Sequence, residues 1–453
     1  MSIDTSTNNK MKFGTIFLFG INCLLGAGIF ITPGKAYALL GVNLFWVLAI
    51  CSIIAIVMAL VFAEMAGIFT KTGGVYIYAS AAWGPFIGFN IGFIRFLAAC
   101  VALSVQVAAL PSIFTSALHI HFSTVESVSI SIIFAFILCA INLISVKVVS
   151  FFTRLSSWLV LATLIGCIIV SFTHFQISNL TSISGLVSAV DEQPVPVLGE
   201  PTSAQFSAGF LLLFYALVGF ENIGVAAQDM ENPTRDVPRA IIAVLLTVSL
   251  IYFLLFASIL GSMGGDALLH SENSVADSVG MILGTEGRLI ISLGSLIALF
   301  GIGLAMCFAG PRNLVPLALD RFLPESAGAN NIRGVPAKSI IIMLGVTIFF
   351  VVIANLMSAQ AFVLLVQVAT VCRLLQYLVV AIGIFSIRKQ KIAGTYRMPA
   401  VAILIPLCVL ACAYLAIKIA PVVIFITLGL IAISLCIYFL YAAPRARKMQ
   451  SRL

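Results

Sequence analysis

Apolar positions in this chain follow neither the helical nor the strand period. They run on in long stretches broken by short polar punctuation. A helix crossing a bilayer core needs about 20 consecutive apolar residues. Windows of that kind predict about twelve helices, at 13–40, 43–70, 84–118, 125–145, 151–173, 207–229, 239–264, 287–313, 338–356, 359–387, 398–417 and 420–442. Two windows are interrupted. In "FGTIFLFGINCLLGAGIFITPGKAYALLG" the run from Phe13 to Leu25 meets Gly26-Ala27-Gly28 and resumes to Leu40. In "FSAGFLLLFYALVGFENIGVAAQDMENPTRDVPRAI" the run from Phe206 to Val218 meets Gly219-Phe220-Glu221-Asn222, ahead of a small-residue stretch from Gly224 to Ala227. Non-helical backbone at bilayer depth survives only where protein, water or a ligand satisfies its polar groups. The breaks are therefore expected to form a binding site.

Composition sharpens the class. Of 453 residues, 62% are hydrophobic and 9% charged, with mean hydropathy +1.18. Soluble domains carry about 25% charged residues. The expectation is an all-α polytopic membrane protein, one transmembrane domain over 1–453. Lys10 and Lys12 before an apolar run imitate a signal peptide, but the hydrophobicity continues past Gly28. The ten cysteines lie inside apolar runs. Cys408 and Cys412, one helical turn apart, have no histidine or carboxylate neighbour, so neither metal nor disulfide is expected. No zinc-binding His-Glu motif, nucleophile–base pair or phosphate-cradling loop is present. That speaks against an enzyme, and no cofactor is expected. His119, His121, His174 and His270 read as interfacial, and "NLT" at Asn179 matches a glycosylation acceptor.

The net charge of +8 is a topology signal, not a nucleic-acid footprint, because basic residues occupy alternate loops. Lys10, Lys12, Lys71, Lys147, Arg154, Arg235, Arg239, Arg321, Arg333, Lys338, Arg388, Lys389, Lys391 and Arg397 share one side with Arg445, Arg447, Lys448 and Arg452. The opposite loops hold Glu126, Asp191, Glu192, Glu200, Asp266, Glu272 and Asp277. The positive-inside rule then places both termini in the cytoplasm of a cell-membrane protein. With five helices in each half and a break in the first helix of each, segments 13–173 and 207–387 would enter the membrane in opposite directions. Paired interruptions of this kind point to an inverted-repeat transporter.

Each break presents free N–H groups on one half-helix, worth roughly half a positive charge, and free C=O groups of similar negative charge on the other. The half-helix starting near Gly28 suits a carboxylate. Carbonyls before Gly26 and Gly219 suit an ammonium group. A small α-amino acid matches both polarities. Glycine lets the backbone leave helical geometry and approach a ligand, although Gly-Ala-Gly alone also fits close helix packing. Glu64, Arg95, Glu221 and Arg373 fall inside predicted spans, each at a cost of about 2.5–3.5 kcal/mol at a helix centre. Glu221 is expected to accept bonds from freed N–H groups, either coupling occupancy to closure or only stabilising the break. Glu64 would reach headgroups or loop amides. Arg95 would snorkel inward, pair with Glu64 or face the cavity, and Lys35 would line an outer vestibule or snorkel.

The two segments resemble the amino acid–polyamine–organocation transporter superfamily. "GINCLLGAGIF…PG" is similar to its first-helix pattern and "GFENIGVAAQDMENPTRDVPRAI" to its sixth-helix signature; "FAEMAGIFTKTGGVYIYA" and "ALDRFLP" match further segments. The resemblance implies a five-plus-five inverted repeat with discontinuous helices 1 and 6, and 398–442 outside it. It implies a substrate carboxylate at Gly26, Ala27 and Gly28. The ammonium would sit at carbonyls near Leu24, Tyr215 and Val218, beside Gly219. It makes Tyr215 an aromatic gate, with core packing as the alternative, and Arg373 an inner-side packing residue. Two departures stand out. Val160 replaces a lysine of some proton-coupled relatives, and Gly301 and Gly303 occupy the region of a sodium-binding hydroxyl pair. These absences favour an exchanger or facilitated permease, and low charge in the pocket helices favours neutral amino acids. A polyamine or amine exchanger, a proton-coupled symporter and a non-transporting sensor are the alternatives.

Overall fold

The computed structural model describes residues 11–26, 28–69, 73–118, 122–181, 201–225, 230–271, 273–331, 334–356, 360–392, 394–417 and 419–445. Ala27, Lys10, Lys71, His119, His121, Asp191, Glu192, Glu200, Ala227, Glu272, Arg333, Arg447, Lys448 and Arg452 lie outside the described residues. Nineteen helices follow in order: α1 (Phe13–Leu24), α2 (Gly28–Leu40), α3 (Leu44–Ile68), α4 (Val75–Trp83), α5 (Pro85–Ala108), α6 (Leu110–Leu118), α7 (Thr124–Ile144), α8 (Val146–Phe172), α9 (Ser178–Thr181), α10 (Ser203–Leu217), α11 (Glu221–Val225), α12 (Pro233–Leu269), α13 (Ser274–Arg312), α14 (Leu314–Leu319), α15 (Glu325–Gly328), α16 (Ala337–Leu356), α17 (Gln360–Lys389), α18 (Val401–Ile417) and α19 (Pro421–Ile437). Among the described residues there is no strand, only a bridge between Met11 and Met230. That bridge, with Glu231 N–H donating to Met11 O at 3.1 Å, sets the segment before α1 beside the loop after α11.

Nine helical segments of the described chain are long and apolar enough to cross a membrane, with shorter apolar helices at Phe13–Leu24, Ala337–Ile353 and Val401–Tyr414. Among the described residues each predicted window overlaps at least one helix. The differences lie at the ends and have local causes. The window 239–264 stops where Gly264 (φ 76°) kinks α12, and the window 287–313 starts just past Gly284 (φ 72°) in α13. α10 begins at Ser203 because Thr202 and Gln205 form a reciprocal cap, each side chain bonding the other's backbone N–H.

Burial sorts the helices by position. The most apolar window of α5 is 94% buried, against 28% for α7 and 22% for α19. α5 is therefore central, packed by α4, α13, α16 and α17. α7, α18 and α19 turn large apolar side chains outward, such as Phe136, Leu410 and Phe425. An apolar outer surface of this extent suits lipid, not water. Glu64 meets a loop amide, as expected, through Met398 N–H at 2.7 Å, and also takes Arg388 in a two-point pair at 2.9 and 2.6 Å. It does not pair with Arg95. The Asn179 amide donates to Gly261 O at 2.8 Å, so this side chain ties α9 to α12. Nine of the ten cysteines are buried and all are free, and Cys436 is exposed.

Candidate functional site

The first break begins where Leu25 leaves helical geometry at φ −82°, ψ 87°. Gly26 N–H turns back onto Leu24 O at 3.1 Å, and Ile29 N–H onto Gly26 O at 3.2 Å, which starts α2. Leu24 O keeps a lone pair for a further donor. Thr32 Oγ1 donates to Gly28 O at 2.5 Å and steadies the first turn of α2. The second break is an extended Val218 (φ −98°, ψ 156°) followed by Gly219 at φ 130°. A Cβ on Gly219 would lie 2.2 Å from the carbonyl oxygen of Cys23. The two interruptions therefore touch backbone to backbone, on glycine at a conformation other residues rarely adopt.

Glu221 opens α11 directly behind this contact. Its Oε2 accepts from Gly219 N–H at 2.9 Å and from Tyr377 Oη at 2.5 Å. The freed amide is satisfied as the sequence predicts. Oε1 lies 3.0 Å from Arg95 Nη2 and 3.9 Å from Arg373 Nε. Arg95 also donates to Asn222 Oδ1. Arg95 thus neither snorkels nor reaches Glu64. It points at the break, because a fully buried guanidinium needs a buried acceptor, and Glu221 supplies one. Phe62, Phe220 and Tyr377 close over the carboxylate with ring centroids 5.2–5.6 Å apart. Such a lining keeps water from the ion pairs and strengthens them.

Between the breaks is a small cavity of about 20 Å³, room for about one water molecule, so a larger ligand needs the surrounding helices to move apart. Leu24, Gly26, Gly28, Tyr215 and Val218, all expected at the site, line it. Gly219 is spent on the contact with Cys23, and Glu221 sits behind the wall. Gln106, Thr32, Tyr252, Ile302 and Met306 are among its other lining residues and were not anticipated. Gln106 had a legible signal, since a buried amide in an apolar helix marks a function or a partner. Arg373 also lines the cavity, so its expected place as inner-side packing is corrected. Tyr377, one turn further on α17, shares that face of the helix. A second small cavity of about 30 Å³ adjoins the first through the shared residues Gly28, Thr32, Gln106 and Tyr215, and Lys35 also lines it.

Gly301 explains what stands where a sodium-binding hydroxyl pair would be. A Cβ there would fall 2.5 Å from Asn22 Oδ1 and 2.6 Å from Ser156 Oγ. The space is used by an uncharged tie from α1 to α8: Asn22 Nδ2 donates to Thr153 O at 2.6 Å and Ser156 Oγ at 2.9 Å, and Ser157 Oγ donates to Leu18 O at 2.7 Å. Val160 is buried and apolar on the same helix. Among the described residues no cluster of three or more His, Cys, Asp or Glu could hold a metal.

Comparison with known proteins shows the family. The family model described as amino acid permease matches residues 15–446. The branched-chain amino acid permease BcaP of Bacillus subtilis is 23% identical over 468 residues, covering 99% of this chain and 96% of that protein. The serine/threonine exchanger SteT of Bacillus subtilis is 28% identical over 325 residues, covering 70% of each. An uncharacterized transporter of Mycobacterium tuberculosis is 28% identical over 402 residues, covering 84% of this chain and 81% of that protein. With the family model spanning nearly the whole chain, this multi-pass membrane protein belongs to the amino acid permease family of the amino acid–polyamine–organocation superfamily.

Proposed function

We propose that the chain exchanges neutral amino acids across the cell membrane by alternating access, with the substrate backbone held between the two helix breaks. The observation that carries this reading is the contact of Gly219 with Cys23 O beside a cavity lined by Gly26, Gly28 and Val218. One wall offers the N-terminus of α2 to a carboxylate. The other offers the carbonyl ends of α1 and α10 to an ammonium group. Ile29, Ala216, Ile302 and Met306 leave apolar surface for an uncharged side chain.

In this reading twelve crossings form two inverted five-helix repeats, 13–173 and 207–387, with 398–442 outside and both termini cytoplasmic. Tyr215 and Gln106 stand between the two cavities and form the gate. The uncharged tie through Asn22 and Ser156 holds α1 to α8 where a lysine or a sodium ion would otherwise act, which supports exchange without an ion gradient. BcaP and SteT, by their names, carry branched-chain amino acids and exchange serine and threonine. Both substrate groups are neutral.

The test is counterflow in proteoliposomes preloaded with L-leucine or L-serine. Uptake is expected to require internal amino acid and to be unchanged when proton and sodium gradients are collapsed. Uptake that follows either gradient and ignores internal substrate sinks the exchanger reading. Gly28→Val addresses the site itself. The nearest atom to a Cβ at Gly28 is Thr32 Oγ1 at 3.8 Å. The fold therefore tolerates the first added atom, and the branched side chain enters the cavity. Transport is expected to fall at least tenfold, an order-of-magnitude figure for a substrate sterically kept from the backbone that binds it. The melting temperature of the purified protein should stay near that of the unaltered protein.

A further inference from the structure

Buried around the second break are two guanidinium groups, Arg95 and Arg373, and one carboxylate, Glu221. Arg95 is held at hydrogen-bond distance by Glu221 and Asn222. Arg373 is held loosely, 3.9 Å from Glu221 and with its carbon 5.1 Å from the centre of the Tyr215 ring. Its side chain is 3% exposed and its Nε has no hydrogen-bond partner. Arg373 is also the one charged side chain among the described residues that line the cavity between the breaks. Glu221, already shared with Arg95, Tyr377 and the Gly219 amide, leaves one positive charge unbalanced at the cavity wall. An unmatched buried guanidinium is costly, and a carboxylate in the cavity removes that cost.

We infer that Arg373 is the side-chain counter-charge for the carboxylate of the transported amino acid, and that it excludes ligands of net positive charge. The inference rests on the proposed amino acid site and deepens it. A zwitterion entering between the breaks draws the guanidinium off its long contact with Glu221. The Tyr215 ring lies under that group and lines both cavities, so ligand occupancy acts on the residue that separates them. Amines without a carboxylate leave Arg373 unpaired and meet its repulsion, which argues against polyamine substrates.

The experiment compares the full chain with Arg373→Gln and Arg373→Lys in proteoliposomes, reading counterflow of labelled L-serine and L-leucine and inhibition by L-serine methyl ester. The unaltered protein should prefer the acid to the ester. In Arg373→Gln the KM for the acid should rise at least about 30-fold, the low end of the effect when one partner of a desolvated charge pair is removed. The preference for the acid over the ester should shrink severalfold, to what the N-terminus of α2 alone supplies. A residue that only supports packing lowers transport of both and leaves their ratio unchanged. Arg373→Lys should keep the preference with a severalfold higher KM, because an ammonium lacks the two-pronged geometry. This variant decides the matter if the glutamine variant fails to assemble: unchanged KM and unchanged preference overturn the assignment. An undiminished preference in a well-assembled Arg373→Gln overturns it too, and leaves the amino acid site standing. Unaltered protein that treats ester and acid alike removes that site, and this assignment with it.

Discussion

Gly219→Ala is expected to abolish transport and to lower the melting temperature of the purified protein, whereas Gly28→Val is expected to lose transport with the melting temperature unchanged. The reason is where the new methyl group lands. At Gly219 it would lie 2.2 Å from the oxygen and 3.0 Å from the carbon of the Cys23 carbonyl, which are backbone atoms that cannot rotate away. The residue also sits at φ 130°, where an L side chain adds strain of about 1–3 kcal/mol. The two halves of the site would have to separate, taking Leu24 from Val218 and the Gly219 amide from Glu221. Uptake and thermal melting measured on the two glycine variants side by side check this. A Gly219→Ala protein that melts and transports normally would show that the interruptions do not meet as described.

The second large effect is expected from Glu221→Gln. Glu221 is 1% exposed and is the carboxylate between Arg95 and Arg373. The amide keeps the shape, so Tyr377 and Gly219 retain an acceptor, but the local charge rises from +1 to +2. Breaking a buried pair from one side costs about 3–5 kcal/mol, and the variant should be poorly folded as well as inactive. The control is Glu221→Gln with Arg95→Gln, which returns the charge to +1. If the two groups interact directly, the double variant should be more stable than the sum of the single changes by about 0.5–3 kcal/mol, the usual range for contacting residues. Thermal unfolding of the four proteins measures that difference. Additive effects would mean that Glu221 and Arg95 act independently, and the 3.0 Å pair would then have no role in holding the break.

The sequence alone determined the class, the positions of the helices and the places where two of them fail. These follow from local chemistry. Lipid demands about 20 apolar residues per crossing, and Gly26-Ala27-Gly28 and Gly219 with Glu221 cannot continue a membrane helix unsupported. Glu221's bond to its own freed amide is equally local, spanning two residues. Tertiary structure alone decided which side chains face the site. Helices apolar on every side carry no stripe from which to read an inward face. Nothing in the run "GFIRFLAACVALSVQVAA" says that Arg95 meets Asn222, 127 residues away. Arg373 was legible as an expensive charge but not as a wall of the pocket, because its partners lie on α10 and α11. Those pairings come from how separate helices pack, and only the packed structure holds that information.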